Sequence, residues 1–446
     1  MLDRYDGLGG AAHTMTGPHI LIAGGGYVGM YTALGLQKSL RRGEARVTVV
    51  DPRPTMTYQP FLPEASAGSL EPRHVVVPLR RTLRRTDVLT GRLTGLDHAR
   101  KVATVEPREG APYEVAYDIF VAALGSVART LPIPGLAEQA VGFKQIEEAI
   151  HLRNCVLDRL DAAGSTTDVD TRRRALSFVF VGGGYAGIEA LAELEDMARY
   201  ATRYYDDVRP DDMRWVLVEA ADRILPEVGP EMGRYTVDEL RKRGIEVRLE
   251  TRLESCVDGF VELSDGEKFE ADTIVWTAGV KAHPVLTQTD LPLDEKGRVK
   301  ALPSLVVEGT SDAWAAGDCA AVPDLTAAAG QLCSPSAQHA VRQARLLAAN
   351  IVRSLRGEPL RDYAHKHAGS VASLGLHKGV AQVYGVKLKG WPAWFMHRTY
   401  HMSRMPTFNK KARVVLDWTL ALFFRREVVS LGSLQRAREE FERASR

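Results

Sequence analysis

Two segments of the chain follow the same plan of strand, glycine-rich turn, helix and second strand. The first has the turn Gly24-x-Gly26-x-x-Gly29 and an acid, Asp51, at the end of its second strand. The second begins 158 residues later with Gly182-x-Gly184-x-x-Gly187 and ends at Glu219. This repeat constrains the fold, because alternating strands and helices build a parallel sheet with helices on its faces.

Each part of the first turn has a mechanical reason. The first glycine permits the tight turn, the second lets the backbone approach a pyrophosphate, and the third lets helix and strand pack closely. The phosphates then sit at the positive end of the helix, and Asp51 accepts hydrogen bonds from a ribose diol. Glycine turns also occur without a ligand, but the flanking strand, helix and acid favour a dinucleotide site.

The second copy predicts a nicotinamide nucleotide. Glu219 lies 32 residues after Gly187, against the usual spacing of about 20, and the excess falls at residues 200–212. An acid here favours a free ribose 2′-hydroxyl and repels a 2′-phosphate, so NADH is preferred to NADPH; the alternative is a solvated strand-end acid. Two such sites indicate a flavin and a nicotinamide, because one donates the hydride that the other accepts.

Composition excludes several classes of protein. The 446 residues allow two or three domains, and a net charge of +2 gives no reason to expect nucleic acid. The four cysteines form no CxxC, which argues against a disulfide scaffold, a zinc ribbon or a thioredoxin motif and fits a reducing compartment. We find no credible metal-ligand set and no apolar run of about 18 residues that could span a membrane. Residues 1–17 read as a disordered leader.

The C-terminal region differs from the rest of the chain. Between Lys387 and Arg426 there are nine Lys or Arg, and Asp417 is the only acid. Tryptophans, phenylalanines and an apolar helix are mixed with these basic residues, a pattern typical of an amphipathic anchor at a membrane surface. A dimer-forming helix pair is the competing interpretation. Nothing resembles a nucleic-acid motif.

Four further motifs carry a family resemblance: Ala122–Ser126 followed by Ile133–Gly135, Ala316–Ala320, Tyr58–Gly68 and Trp276–Ala282. On these the chain resembles the two-dinucleotide-domain flavoproteins of the pyridine nucleotide-disulfide oxidoreductase superfamily. Within that superfamily it looks like a type II NADH dehydrogenase (NADH:quinone oxidoreductase) from about His19 to Phe424.

The resemblance implies FAD and NADH as cofactors and assigns residues to them. The cofactor-binding residues would be Gly24, Gly26, Gly29, Asp51, Gln59, Gly125, Gly317, Asp318, Gly182, Gly184, Gly187, Glu219 and Gly279. Glu189 falls where the family has a glutamate that reaches toward nicotinamide and flavin, and Gln338 falls in its quinone-side segment; these two are the expected catalytic residues. For Glu189 the alternative is a helix-capping role, since acids favour the first turn.

One departure from the family concerns the acceptor. The family segment Ala-Gln-x-Ala-x-Gln has Arg342 in place of its second glutamine here. A guanidinium that lines an apolar slot is costly unless it is paired, so a soluble reductase with another small-molecule or protein acceptor stays open. His339 is either a proton relay to a quinol or structural.

The predicted fold class is α/β with two Rossmann-like dinucleotide domains and a C-terminal amphipathic, membrane-facing region. The expected boundaries are 18–150 and 301–364 for the FAD domain, 151–300 for the NAD domain, and 365–446 for the membrane or dimer region. The expected reaction passes a hydride from NADH to FAD and then electrons to a membrane quinone, without proton pumping. The expected location is the cytoplasm, peripheral on the inner face of the cell membrane. A homodimer stays open as an oligomeric state. A flavin-binding redox sensor and a sulfide oxidase that uses Cys155 and Cys333 are the remaining alternatives.

Overall fold

A computed structural model describes residues 17–366, 369–424, 426–430 and 439–444. The predicted leader at residues 1–17 therefore lies, apart from Gly17, outside the described residues.

The helices differ widely in length. They are α1 (Tyr27–Ser39), α2 (Leu62–Ser66), α3 (Leu79–Thr82), α4 (Leu136–Gln139), α5 (Ile146–Ser165), α6 (Val169–Ala175), α7 (Tyr185–Ala201), α8 (Gly229–Arg241), α9 (Ala337–Leu355), α10 (Trp391–Arg404), α11 (Phe408–Phe423) and α12 (Glu439–Ala444).

Most strands are short. They are β1 (His19–Ala23), β2 (Arg46–Asp51), β3 (Thr55–Thr57), β4 (Val76–Pro78), β5 (Asp87–Asp97), β6 (Val102–Pro107), β7 (Tyr113–Ala116), β8 (Ile119–Ala122), β9 (Ser126–Ala128), β10 (Ala140–Val141), β11 (Ser177–Val181), β12 (Arg214–Val218), β13 (Glu246–Arg248), β14 (Leu253–Ser255), β15 (Phe260–Leu263), β16 (Lys268–Glu270), β17 (Thr273–Trp276), β18 (Val280–Ala282), β19 (Val299–Lys300), β20 (Ala313–Ala315), β21 (Ala320–Ala321), β22 (Gly369–Ser373), β23 (Gly379–Val383) and β24 (Val386–Lys389).

The chain divides into two compact units. The first unit contains Met1–Met56, Pro78–Val127 and Lys281–Lys366, and the second contains Thr57–Val77, Ala128–Val280 and His367–Arg446. These limits differ from the predicted domain boundaries, most of all at residues 57–77 and in the C-terminal region. The reason is packing that the sequence pattern does not reveal: α2 packs on α5 and α7, and β22 packs on α7.

The first unit is built on a seven-stranded sheet of order β20-β8-β1-β2-β5-β6-β7. The strands from β20 to β5 pair in parallel, and β6 and β7 continue the sheet as antiparallel strands. Ile20, Leu21 and Ile22 of β1 are fully buried, as expected of a parallel strand covered on both faces. Helices α1 and α9 pack against each other in this unit.

The second unit has a five-stranded parallel sheet of order β10-β17-β11-β12-β13. All five residues of β11 are buried. Two three-stranded antiparallel sheets, β14-β15-β16 and β22-β23-β24, belong to the same unit. Helix α7 follows β11, so this unit repeats the strand-turn-helix plan of β1 and α1.

The predicted α/β class and both predicted glycine turns are confirmed. One detail is a correction: α1 begins at Tyr27 and α7 at Tyr185, inside the segments expected to be turn. The third glycine of each motif, Gly29 and Gly187, therefore lies in the first turn of its helix, where the close approach to the preceding strand occurs.

Among the residues described, no helix combines the length and the apolar character needed to cross a membrane.

Candidate functional site

The first glycine turn forms an open cradle at the start of α1. Gly24 has φ +107°, and a Cβ on it would lie 2.3 Å from the carbonyl oxygen of Ala123, so only glycine fits. A Cβ on Gly26 would meet no protein atom within 4 Å. The space above the helix N-terminus is thus free for phosphate oxygens, which the backbone N–H groups attract.

Asp51 is held beside this cradle by the turn itself. Its Oδ2 accepts a hydrogen bond from the Gly25 backbone N–H at 2.7 Å, and its Oδ1 accepts one from Arg53 N at 2.8 Å. Burial raises the pKa of Asp51 above its ordinary value. The carboxyl group is therefore fixed at the end of β2, where a ribose diol would hydrogen-bond to it.

The second glycine turn repeats this geometry in the second unit. Gly182 has φ +115°, and a Cβ on Gly184 would again meet nothing within 4 Å. Glu219 Oε2 accepts from Gly183 N at 2.5 Å, and its Oε1 accepts from Ala221 N at 2.8 Å. Glu219 is thus held in place by the backbone of the glycine turn.

Asp318 and Gly317 lie with the first cradle in the first unit. Ser126 Oγ donates to Asp318 Oδ2 at 2.7 Å, and Gly317 N donates to the side-chain oxygen of Gln343 at 2.7 Å. A Cβ on Gly317 would lie 2.6 Å from Val28 of α1. These contacts bring the strand ends of β8 and β20 to the start of α1, as the flavin motif predicts for one bound dinucleotide.

The other predicted cofactor residues are distributed between the units. Gly125 lies in the first unit, and a Cβ on it would meet nothing within 4 Å. Gln59 and Gly279 lie in the second. Gln59 Nε2 donates to the Lys144 carbonyl at 3.2 Å, and the Gly279 carbonyl accepts from Arg129 N at 3.1 Å.

Glu189 does not cap its helix. Its Oε1 accepts from the backbone N–H of Ser373 at 2.8 Å and lies 3.0 Å from Nε2 of His397, and both side chains are buried. Burial lowers the pKa of His397, but the carboxyl groups of Glu189, Glu64 and Glu193 together more than offset this, so the pKa lies above its ordinary value. Sequence reasoning missed His397, because no local motif marks it; only the packing of α10 brings it to α7.

A second buried group of charges joins α2 to the C-terminal helices. Glu64, which is 1% exposed, accepts a hydrogen bond from Trp418 Nε1 at 2.8 Å and pairs with Arg398 at 2.9 Å. The Arg398 guanidinium lies over the rings of Trp394 and Trp418, at 4.2 and 4.9 Å from their centroids. These contacts bind α10 and α11 firmly to the second unit.

The predicted quinone-side residues lie on α9 in the first unit. Gln338 Oε1 lies 3.0 Å from Nε2 of His365, and Arg342 Nη1 donates to the Gln338 carbonyl at 3.0 Å. His339 is buried, and its Nδ1 lies 2.9 Å from the Tyr363 hydroxyl. His365 is therefore the histidine that contacts Gln338, which the sequence did not indicate.

The outer side of α11 is apolar and exposed. Within this helix Val414 is the buried residue. The exposed large side chains of α10, α11 and the residue that follows are Trp391, Phe395, Phe408, Val415, Leu416, Leu420, Leu422, Phe423 and Phe424. Exposed apolar side chains grouped in this way, and not scattered singly, are typical of an interaction surface.

The cysteines offer no redox pair. All four are free thiols. Burial raises the pKa of Cys333 to about 11 and the pKa of Cys155 above its ordinary value, whereas thiol–disulfide chemistry needs the thiolate. Across the described part of the chain, no group of three or more His, Cys, Asp or Glu could hold a metal ion.

Two cradles, each with its own acid, define a two-dinucleotide oxidoreductase, and residues 18–344 match the profile of the pyridine nucleotide-disulphide oxidoreductase family. The type II NADH:quinone oxidoreductase of Staphylococcus epidermidis is 32% identical over 85% of this chain and 93% of its own length. The Staphylococcus aureus enzyme of the same name is 31% identical over the same shares. The chain belongs to the type II NADH:quinone oxidoreductase family, which confirms the resemblance seen in its motifs.

Solved structures agree on the fold. NDH2 of Plasmodium falciparum, determined in complex with NADH, superposes with a TM-score of 0.85 at 18% identity and covers 92% of this chain and 99% of its own. A NAD-dependent persulfide reductase from A. fulgidus superposes with a TM-score of 0.66 at 21% identity. The match covers 82% of this chain and 64% of the reductase. At these identities the likeness supports the fold alone.

Proposed function

We propose that this chain oxidises NADH and reduces a quinone, with FAD bound in the first unit and NADH in the second. When bound, FAD supplies the chemistry that accepts a hydride and releases electrons to the acceptor. The Gly24–Gly29 turn, Asp51 and Asp318 hold the flavin nucleotide. The Gly182–Gly187 turn and Glu219 hold NADH.

The repeated cradle is the observation that carries this proposal. At Gly26 and Gly184 the space a Cβ would fill is empty of protein atoms, and at each turn an acid accepts from the neighbouring glycine N–H. Both sets of residues fit the pyrophosphate and ribose of a dinucleotide. One chain therefore positions a hydride donor and a hydride acceptor.

The acid at the second cradle sets the choice of nicotinamide. Glu219 is anchored by two backbone N–H groups, so it does not turn away to admit a 2′-phosphate. A carboxylate in this place hydrogen-bonds the free ribose hydroxyls and repels a phosphate. The enzyme is therefore selective for NADH.

Gln338 is the residue that binds the quinone, and Arg342 is compatible with that role. The Arg342 guanidinium donates to the Gln338 carbonyl, so one of its hydrogen-bond donors is already satisfied within α9. The side-chain amide of Gln338 is oriented by His365. An amide held in this way distinguishes the carbonyl oxygen of a quinone from an apolar molecule.

The apolar face of α11 rests on the inner surface of the cell membrane, so the enzyme is peripheral and lies on the cytoplasmic side. Exposed side chains such as Leu420, Leu422 and Phe423 would be buried in the acyl boundary, while Lys and Arg of the same region meet anionic headgroups. A quinone dissolved in the bilayer is then within reach of a protein that does not cross it. A second copy of the chain on this face is the competing occupant.

Stopped-flow absorbance tests the reaction. The purified yellow protein is mixed anaerobically with NADH and then with a short-chain quinone. Bleaching by NADH and fast recovery with quinone are expected. Bleaching without recovery would leave the NADH half in place and direct the search to another small-molecule or protein acceptor. Slow bleaching with a persistent charge-transfer band would instead favour a redox sensor.

A further inference from the structure

Arg342 is a cation that lies beside Gln338, the residue that we assign to the quinone. The two residues are four apart on α9, so they lie one turn apart on the same face of the helix. The Arg342 guanidinium turns back toward Gln338, since its Nη1 donates to the Gln338 carbonyl at 3.0 Å. A positive charge is therefore held next to the acceptor residue.

Within the described part of the chain, no carboxylate neutralises this guanidinium. Helix α9 contains three arginines and no acidic residue, so the helix offers no partner at the spacing of one turn. Among the described residues, the hydrogen-bond partner of the Arg342 side chain is a backbone carbonyl, which carries no formal charge. A half-buried cation in this state favours an anion as its neighbour.

Asp324 is an acid of the same region, and its charge is directed to other groups. Its Oδ1 accepts from Thr326 N at 2.9 Å and from Thr326 Oγ1 at 2.8 Å. These hydrogen bonds hold the pKa of Asp324 below its ordinary value, and the charges of His339 and His365 act in the same direction. The Asp324 carboxylate is thus associated with Thr326 and the two histidines.

Tyr363 shows what the Arg342 charge does to a neighbouring oxygen. The Tyr363 side chain is buried beside His339, and its hydroxyl lies 2.9 Å from Nδ1 of that ring. Burial, and then Cys333 and Asp324, raise the pKa of Tyr363, whereas the Arg342 guanidinium acts in the opposite direction. Arg342 therefore lies close enough to this cluster to favour negative charge on an oxygen in it.

Reduction of a quinone produces a negatively charged oxygen. Oxidation of NADH to NAD⁺ releases two electrons and one proton, the equivalent of a hydride. When a neutral quinone receives this equivalent, one carbonyl becomes a hydroxyl and the other oxygen is left with the negative charge. The product at this stage is a hydroquinone monoanion, and a second proton from solvent converts it to the quinol.

We propose that Arg342 binds the negatively charged oxygen of this hydroquinone monoanion; this rests on the proposed function. Gln338 holds one end of the ring by its side-chain amide, and the guanidinium one turn later stabilises the charge as it develops. The acceptor class that fits is a quinone with an anionic ring oxygen, ionised before or on reduction. The glutamine that the family segment has in place of Arg342 would donate a hydrogen bond without the charge.

Binding of a charged analogue tests the proposal without turnover. Lawsone is a naphthoquinone whose ring hydroxyl is ionised at neutral pH, and its methyl ether has nearly the same shape without the charge. Titration of the oxidised, FAD-loaded enzyme with each compound, followed by flavin absorbance, gives the two Kd values. We expect Arg342→Gln to bind lawsone at least about 10-fold more weakly and the ether equally well. Arg342→Lys keeps the charge without the planar fork and should lose less.

The rate of quinone reduction is the second measurement. Arg342→Gln should slow reoxidation of the bleached enzyme by a neutral naphthoquinone by at least about 10-fold. This is less than the loss of about 100-fold or more at a buried oxyanion donor, because Arg342 is half-buried. Across naphthoquinones with different ring substituents, the rate in Arg342→Gln should depend more steeply on the acidity of the hydroquinone. A change in packing alone would slow all acceptors by the same factor, and bleaching by NADH should keep the wild-type rate.

Arg345→Gln is the matched control. Arg345 is an exposed arginine three residues further along α9, so its replacement removes the same charge and leaves the hydrogen bond to Gln338 in place. Equal lawsone affinity in wild type and Arg342→Gln would overturn the proposal, as would an equal loss in Arg345→Gln. If the wild type bleaches with NADH but reduces no quinone, the proposed function itself fails. If the wild type reduces quinone and Arg342→Gln keeps its Kd values and rates, the role of Arg342 alone is wrong.

Discussion

At the residue scale, Asp51 and Glu219 make equivalent hydrogen bonds in the two glycine turns. Each carboxylate accepts from the backbone N–H of the glycine that follows the first glycine of its motif, Gly25 or Gly183. The turn thus orients the acid, and the acid in turn stabilises the turn. We therefore expect a change at either residue to affect nucleotide binding through geometry as well as charge.

Glu219→Gln should weaken selection for NADH. The amide keeps the size of the side chain but no longer repels a 2′-phosphate, and it loses charge-assisted hydrogen bonds. We expect the KM for NADH to rise about 10-fold and the preference over NADPH to fall. Steady-state rates with both nucleotides measure this. Glu254→Gln, an exposed change on β14, is the control, and an unchanged NADH/NADPH ratio in Glu219→Gln would contradict the assignment.

Glu193 makes stability depend on pH. Its folded pKa of about 7 lies above the ordinary value of 4.5, so between these values the folded state binds a proton that the unfolded state lacks. The stabilisation is complete below the unfolded pKa and is lost as pH rises through the folded pKa. Glu193→Gln should gain about 1–3 kcal/mol relative to wild type between about pH 5 and pH 8.

Thermal melts of both proteins at about pH 5 and about pH 8 measure this difference. Wild type should melt lower at the higher pH relative to Glu193→Gln. Equal shifts in the two proteins would mean that Glu193 titrates normally.

At the element scale, α11 has two faces with different tasks. Trp418 points inward to Glu64, whereas Leu420, Leu422 and Phe423 are more than half exposed. The inner face fixes the helix to the second unit, and the outer face stays available for a membrane. Amphipathic helices of this kind lie in the interface and do not span it.

Replacing Leu420 and Phe423 by glutamine should release the protein from vesicles. Each buried apolar side chain contributes about 1.5–3 kcal/mol, so the double variant should partition at least about 10-fold less. Co-sedimentation with anionic vesicles measures partition, and Phe260→Gln, an exposed change on β15, is the matched control. If the double variant still binds vesicles but changes from dimer to monomer in size-exclusion chromatography, a second copy covers this face.

At the scale of the whole molecule, one chain carries two versions of the same cradle with separate duties. Gly26 and Gly184 are matched probes, because a Cβ at either position meets no protein atom within 4 Å. An alanine there should not disturb folding, yet it fills the space where a pyrophosphate approaches the backbone.

Gly26→Ala should therefore purify with little or no flavin. Gly184→Ala should stay yellow but need at least about 10-fold more NADH for bleaching. Flavin absorbance per protein and the NADH dependence of bleaching measure the two effects. The reverse pattern would exchange the assignments of the two units. If neither variant changes flavin content or NADH dependence, the assignment of both turns as nucleotide sites is wrong.

The sequence indicated the cradles well because their signals are local. Gly24, Gly29 and Asp51 belong to one strand-turn-helix-strand unit, and the spacing alone predicts that they meet. The same holds for Gly182, Gly187 and Glu219, although here the distance along the chain is longer. The C-terminal apolar face of α11 is also a local pattern and was predicted as such.

The buried charges were not predictable in this way. His397 reaches Glu189 from 208 residues away along the chain, and Trp418 reaches Glu64 from 354 residues away. The contact of His365 with Gln338 likewise depends on how the chain returns after α9. The sequence around His365 and His397 does not indicate which residues they contact, because the surroundings of a side chain are set by tertiary packing.

The sequence by itself determined the α/β class, the two dinucleotide sites and the family, because each depends on short-range spacing of glycines, strands and acids. Only the tertiary structure decided that Thr57–Val77 and the C-terminal region belong with the second repeat, and that Glu193 is buried with one oxygen that has no hydrogen-bond partner among the described residues. The reason is physical: local backbone geometry follows from neighbouring residues, whereas burial and charge pairing follow from contacts between segments far apart in the chain.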